Sequence, residues 1–362
     1  MRVLLLSLAF LICAAAPADA AVSLKKSMWG PSEVNGVDQF PIYADLGVGL
    51  WQTTFNWADI APARPANPRD PADPAYLWPA DMDSTIQRAG ALGIEVSVLL
   101  IGAPGWANGG RSWEFAPTRP QDFADFAEAA SRRYPRVRHW MIWGEPTKAE
   151  NFQPLASDNG KPIRTAEQRR GPRLYARILD ASYVSLKRVS RRNLVIGGNT
   201  YTVGAIRPLH FIPELKLPNG KPPRMDLWGH NPFTLRRPDL KAPALNLGYA
   251  DFCDLDELAA VLDRTMRRSK SKRQRKLRLF LSEYSLPTDH ANHEFNFFVD
   301  DATQASWLGA ALKITRSYRR IYTLGYLGLY DDAAQEDGQQ VERGLIRRDG
   351  SRKPAYETFK RG

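Results

Sequence analysis

Eight times along this chain a short apolar run gives way to a segment whose apolar residues recur at helical spacing, and no other feature restricts the possible folds as much. The strand-like runs lie at about 24–29, 49–55, 95–101, 137–143, 194–198, 225–229, 277–282 and 322–329. Helical patterns fall between them at about 39–45, 80–92, 120–134, 172–190, 209–215, 255–269 and 303–316, with a closing helix near 354–360. Strands linked in order through helices run parallel, and eight of them close on themselves. The expected fold is therefore α/β, a single-domain (β/α)8 TIM barrel. A length of 362 residues suits one such barrel with insertions, and 43% hydrophobic residues can fill its core.

Residues Met1 to Ala20 stand apart from that pattern. Arg2 precedes a 14-residue apolar run, Val3 to Ala16, and the small-residue site Ala18-Asp19-Ala20 follows. This is the pattern of a secretory signal peptide, so the barrel is expected to occupy residues 21–362 and the protein to be secreted. Removing the leader takes Cys13 with it and leaves Cys253 as the single cysteine, which excludes an intramolecular disulfide and a cysteine-cluster zinc site. The net charge is +11, and nine of the fifteen residues from Arg264 to Arg278 are Lys or Arg. A solvated helix end and loop is the plainer account of that run, and contact with an anionic cell-wall or membrane surface is the other. Nucleic acid is not an expected partner, because the run holds no aromatic side chain to stack on bases.

The longest irregular segments, 58–78, 144–171, 231–253 and 284–301, each follow a strand and precede a helix. They would share one rim, where barrels of this type build their sites. Prolines at 62, 65, 68, 71 and 74 favour a stiff, extended wall beside the pocket. Two strands end in glutamate. The fourth runs Trp140-Met141-Ile142-Trp143-Gly144 into Glu145-Pro146, and the seventh runs Leu279-Phe280-Leu281-Ser282 into Glu283-Tyr284. Both would emerge at the same rim, on opposite sides of a pocket. Breaking a glycosidic bond requires two such groups, one to protonate the leaving oxygen and one to attack the anomeric carbon or activate water. A helix cap or loop ion pair would explain either glutamate alone.

Further segments fall at the same rim. Phe55-Asn56-Trp57-Ala58-Asp59-Ile60 follows strand two, Pro104-Gly105-Trp106-Ala107 follows strand three, and Gly229-His230-Asn231-Pro232-Phe233 follows strand six. With the WxxWGEP element carrying Glu145, and Ser282-Glu283, these make the chain resemble clan A of the glycoside hydrolases, the 4/7 superfamily. Within it the likeness is to the branch of family 39 β-xylosidases and α-L-iduronidases and family 5 endoglycanases. The resemblance implies a carbohydrate substrate, no cofactor and no metal, with Glu145 as general acid/base and Glu283 as nucleophile of a retaining reaction. Two positions depart from it. Gly144 stands where the clan places an Asn that holds the 2-hydroxyl, and Phe233 stands where a tyrosine hydroxyl supports the nucleophile. Asn56, Asn199 and Gln52 are candidates to supply the missing amide. A non-hydrolysing carbohydrate-binding barrel is the alternative reading.

The two glutamates have different needs. Glu145 must hold a proton, which Trp143 and an anionic Glu283 would favour, whereas Glu283 must stay ionised and needs donors, for which Tyr284, His230 and Tyr330 are candidates. Sugar rings present apolar C–H faces that stack on flat aromatics. Trp57, Trp78, Trp106 and Trp113 fall at the rim, and Trp106 is the preferred platform; Asn56, His230, Asn231, Tyr284 and Tyr330 complete the expected substrate contacts. His290 and His293, without a third ligand nearby, do not make a metal site. No G-x-S-x-G elbow, Walker A loop or dinucleotide fingerprint is present, so those enzyme classes have no support.

Overall fold

The computed structural model describes residues 21–267, 276–289, 297–332 and 342–362. Its strands are β1 (Ser23–Trp29), β2 (Val48–Asn56), β3 (Glu95–Ile101), β4 (His139–Ile142), β5 (Leu194–Tyr201), β6 (Leu227–Asn231), β7 (Arg278–Tyr284) and β8 (Ile321–Leu327). Each pairs in parallel with its neighbours in sequence, and β8 pairs with β1, which closes the barrel. The expected (β/α)8 architecture is the one the chain adopts. The helices are α1 (Phe40–Asp45), α2 (Met82–Ala91), α3 (Pro120–Arg133), α4 (Ala166–Val189), α5 (Pro208–Phe211), α6 (Leu255–Thr265), α7 (Asp301–Ser317) and α8 (Pro354–Arg361).

Most boundaries shift by a few residues from the sequence expectation, and two of the shifts have a clear local reason. The helix expected from 172 begins at Ala166, because Thr165 accepts the Gln168 N–H while the Gln168 side chain bonds back to the Thr165 N–H. The helix expected over 209–215 breaks into α5 and a 3-10 turn, Ile212–Glu214. Pro213 has no N–H with which to continue an α-helix.

The barrel is filled, not hollow. Leu50, Leu99, Met141, Ile196, Leu227 and Phe280, one from each of β2 to β7, form a cluster of their own, apart from the larger one between strands and helices. Below them the buried His139 shares a 2.7 Å hydrogen bond with the Tyr322 hydroxyl. Burial pulls the His139 pKa down to about 4, so the ring is neutral. Inward residues alternate with outward ones along each strand, so the register decides which side chains reach the site.

Two buried lysines tie the last segment to the barrel. Lys26 on β1 donates to the carbonyls of Leu46, Phe359 and Lys360, capping the end of α8. Lys353 lies 2.7 Å from Asp331 and also donates to Thr288 Oγ1 and the Glu342 carbonyl. Both partners of that pair are almost inaccessible, so removing one leaves an unmatched buried charge. Lys353→Met is expected to lower stability by about 3–5 kcal/mol, read as a drop in the urea midpoint.

Candidate active site

A cavity of about 740 Å³ opens at the C-terminal ends of the strands, within the range usual for small-ligand sites. Glu145, after β4, and Glu283, in the last turn of β7, both stand in its wall. The other walls come from Lys148 after β4 and from the segments after β5, β6, β7 and β8.

Glu145 is aimed by an irregular end to a fully buried strand. Trp143 and Glu145 are both left-handed, at φ 62° and 43°, with Gly144 between them. Such positions cost on the order of 1–3 kcal/mol each and persist only where the surroundings hold them. Here the Trp143 N–H bonds the Leu100 carbonyl, and the Glu145 N–H bonds the Asn199 carbonyl. The Trp143 carbonyl accepts from Asn199 Nδ2 at 2.8 Å, and its ring N–H donates to the Asn151 carbonyl. Asn199, itself at φ 44°, therefore serves as the clamp of this turn.

The carboxyl of Glu145 has three neighbours. Asn231 Nδ2 donates to Oε1 at 2.9 Å, Lys148 Nζ lies 3.2 Å from Oε2, and Asn151 Nδ2 reaches Oε2 at 3.3 Å. The Asn231 side chain also hydrogen-bonds Glu283, and its Oδ1 accepts from the Ser282 hydroxyl, which fixes the amide with its N–H groups toward the two acids. One buried amide thus joins both glutamates.

Burial, and then the charge of Glu145, push the Glu283 carboxyl up to about 8; Arg343, Lys148 and the Asn231 amide oppose that rise. The pair therefore keeps one proton across the neutral range. The sequence expectation has Glu283 ionised, and burial beside Glu145 opposes that.

Strand alternation sorts the other expected contacts. Asn231 faces the cavity, so its neighbour His230 on β6 faces out. On β7, where Phe280 points into the barrel, the pairing with β8 shifts between Leu281 and Tyr284, and that irregularity turns Glu283 to the cavity and Tyr284 outward. His230 is fully buried between Thr200 Oγ1 at 2.8 Å and the Ala250 carbonyl at 2.9 Å, with its pKa lowered to about 4 by burial. Tyr284 is buried against Phe252. Neither ring can meet a sugar or Glu283. Tyr330 donates to Gln39 Oε1 at 2.6 Å, outside the cavity lining.

The tryptophan platform is also elsewhere. Trp57 is core, stacked on Phe126 at 5.7 Å and edge-on to Trp106 at 5.2 Å. Trp106 donates to the Ala61 carbonyl, and the Arg64 guanidinium covers its ring at 4.6 Å. Together they border a cavity of about 30 Å³, room for a water but not for a sugar. Asn56 caps the short helix Trp57–Ile60 by accepting the Ala58 N–H. The proline-rich segment lays Tyr76 and Trp78 over this aromatic stack rather than walling the large cavity. Aromatic rings beside a broad apolar surface stay on it unless a partner holds them away.

At Gly144 a Cβ would meet Ile101 Cδ1 at 3.1 Å and Leu99 Cδ2 at 3.2 Å, so asparagine there needs those side-chain ends to give by a few tenths of an ångström. Gln52 and Asn199 are spent on backbone carbonyls, of Ser282 and Trp143. The amide beside both acids comes from Asn231 on β6 instead. Lys148, Asn151, Arg343 and the orienting Ser282 were not anticipated. Lys148, three residues beyond Glu145, was the one with a local signal. Among the described residues no three His, Cys, Asp or Glu side chains gather as metal ligands, and His290 and His293 lie outside those residues.

Two carboxyl groups sharing one proton across a cavity can act as acid and nucleophile, or as acid and base. Comparison of the sequence with protein-family models and with curated proteins finds no match. Solved structures do share the fold. A family 39 glycoside hydrolase from the gut symbiont Bacteroides cellulosilyticus WH2 superposes with a TM-score of 0.63 at 18% identity over 93% of this chain. A glucosidase from Croceicoccus marinus gives 0.62 at 15% identity over 95%, and a monomeric β-xylosidase from Caulobacter crescentus CB15 gives 0.59 at 16% identity over 96%. This chain spans 62%, 67% and 69% of those chains, respectively.

Proposed function

We propose that this protein is a retaining glycoside hydrolase acting on O-glycosidic bonds. The observation that carries the reading is the meeting of Glu145 and Glu283, from strands four and seven, around the single amide of Asn231. The glycosidase structures that share the fold support it. In the reaction, Glu283 attacks the anomeric carbon as an ionised carboxylate. The bond to the leaving oxygen breaks while the shared proton passes to that oxygen from Glu145. Water then gives a proton to Glu145 and attacks the anomeric carbon, releasing Glu283. Binding of a glycosidic oxygen against Glu145 draws the proton of the pair to that side.

The test is a panel of aryl glycosides and wall polysaccharides, with the anomer of the first product read by NMR. Retention of configuration supports the mechanism. Inversion sinks the nucleophile assignment, and binding without turnover favours the non-hydrolysing carbohydrate-binding barrel. Gly144 and Phe233, the two departures from the clan's pattern, are the observations on that second side.

Export belongs to the same proposal and rests on the leader pattern of Met1 to Ala20, which lies outside the described residues. An amino terminus at Ala21 in protein recovered from the medium would support it, and an intact Met1 would count against it. Residues 268–275 of the run from Arg264 to Arg278 lie outside the described residues, and its described ends close α6 and open β7, at the N-terminal end of that strand and away from the cavity. Tethering to anionic wall or lipid through it predicts retention at 0.05 M salt that is lost by about 0.5 M; salt-insensitive retention would contradict an electrostatic tether.

A further inference from the structure

A pocket that holds only sugar combines flat aromatic faces with polar groups placed for hydroxyls. This cavity has such rings, Tyr201, Phe233, Tyr249 and Phe297, but no tryptophan among the described residues, and it adds an aliphatic stretch of wall: Val203, Leu235, Leu245, Pro287 and Leu327. Three of the apolar side chains at its mouth are left open to solvent, Val203 at 40%, Leu235 at 67% and Leu245 at 42%, with Leu247 at 63% on the same loop. A contiguous exposed apolar patch around a cavity marks something that it binds.

The loop that presents the leucines is rigidly held. Arg236 forks onto Asp251 at 2.8 and 2.9 Å and reaches Asp254 at 3.1 Å, and Thr234 Oγ1 donates to Asp251 at 3.0 Å. Asp254 also accepts the Leu245 N–H at 3.3 Å. Both acids are buried, so the clamp sits in the base of the loop. Asn246 and Leu247 follow in the left-handed region, at φ 63° and 55°. A branched apolar residue held at positive φ and turned to water has no stability rationale of its own.

Position identifies the occupant. Val203 lies just past Tyr201 at the end of β5, the strand beside β4, and Lys148, 3.2 Å from Glu145, covers the Tyr201 ring at 4.9 Å; the leucines follow β6, between β5 and the Glu283 strand β7. The proton donor must face the leaving oxygen, so the leaving group lies on this side of the scissile bond. We infer that the substrate is a glycoside whose leaving group is an extended apolar unit, alkyl or aryl, seated against Val203, Leu235 and Leu245. This deepens the hydrolase reading and rests on it for the direction of the bond.

The test uses β-D-glucosides and β-D-xylosides carrying methyl, butyl, hexyl and octyl groups, below their micelle concentrations, with phenyl and 2-naphthyl members to tell aryl from alkyl. kcat/KM is expected to rise roughly two- to fourfold per methylene until the wall is covered. Leu235→Asp and Leu245→Asp should lower the octyl-to-methyl ratio at least tenfold, with far-UV circular dichroism as the check on folding. The same ranking is expected in equilibrium binding to Glu283→Gln, which does not depend on turnover. Binding that rises with chain length while no glycoside is cleaved would keep the apolar subsite and remove the hydrolase reading. Turnover and binding indifferent to chain length but raised by added sugar units would overturn the inference and leave hydrolysis standing.

Discussion

Glu283→Gln is expected to lower kcat on any cleaved glycoside by about a thousandfold or more, because the amide cannot form the covalent intermediate. A second readout does not need a substrate. Burial and the charge of Glu145 hold the Glu283 pKa at about 8 in the folded protein, against an ordinary glutamate value near 4.3 when unfolded. Between those values the folded state binds the extra proton, so this group's contribution to stability declines as pH rises through that window. Glutamine escapes the penalty. The variant should therefore gain stability over the parent as pH rises from 5 to 8.5, by about 1–3 kcal/mol at the upper end, seen as a growing difference in urea midpoint. A difference that is flat with pH would show that Glu283 does not sit in the shared-proton environment described.

Asn231→Leu should have the second largest effect. Its amide hydrogen-bonds both carboxyls and favours the ionised form of Glu283. Losing it removes donors whose alignment is preset by Ser282, and an aligned donor of this kind is worth about 10²–10³ in kcat. The sign of the accompanying pH effect is fixed. With the donor gone the Glu283 pKa rises further, so the acid limb of the rate profile, set by ionisation of that nucleophile, moves to higher pH. Ser282→Ala keeps the amide but frees its orientation, and a smaller fall with a smaller shift is expected. A fall in rate with an unmoved profile would mean that Asn231 acts on packing alone.

Much of this arrangement was legible in order and kind. Parallel strands are buried on both faces and read as dense apolar runs, so all eight were visible along the chain, β3 (Glu95–Ile101) with its bounds unchanged. Glu145 and Glu283 stood out because a carboxylate ending such a run has left the core. The aromatic rim was read less well. Trp57 and Trp106 carry the same local pattern whether a ring points at a sugar or at Phe126, and only packing chose the latter. His230 and Tyr284 were included because composition does not tell which of two adjacent strand residues faces inward.

What the residues determined by themselves is the alternation of elements, and with it the closed barrel and the rim at which its long loops gather, since those follow from hydrophobic period and chain direction. What only the tertiary structure decided is which side chains meet. Lys148 against Glu145, Asn231 between two acids that are 138 residues apart, and leucines ringing the mouth where tryptophans were expected all depend on strand register and loop path. Register sets those contacts to within one residue, and a slip of one turns every side chain of a strand to its other face.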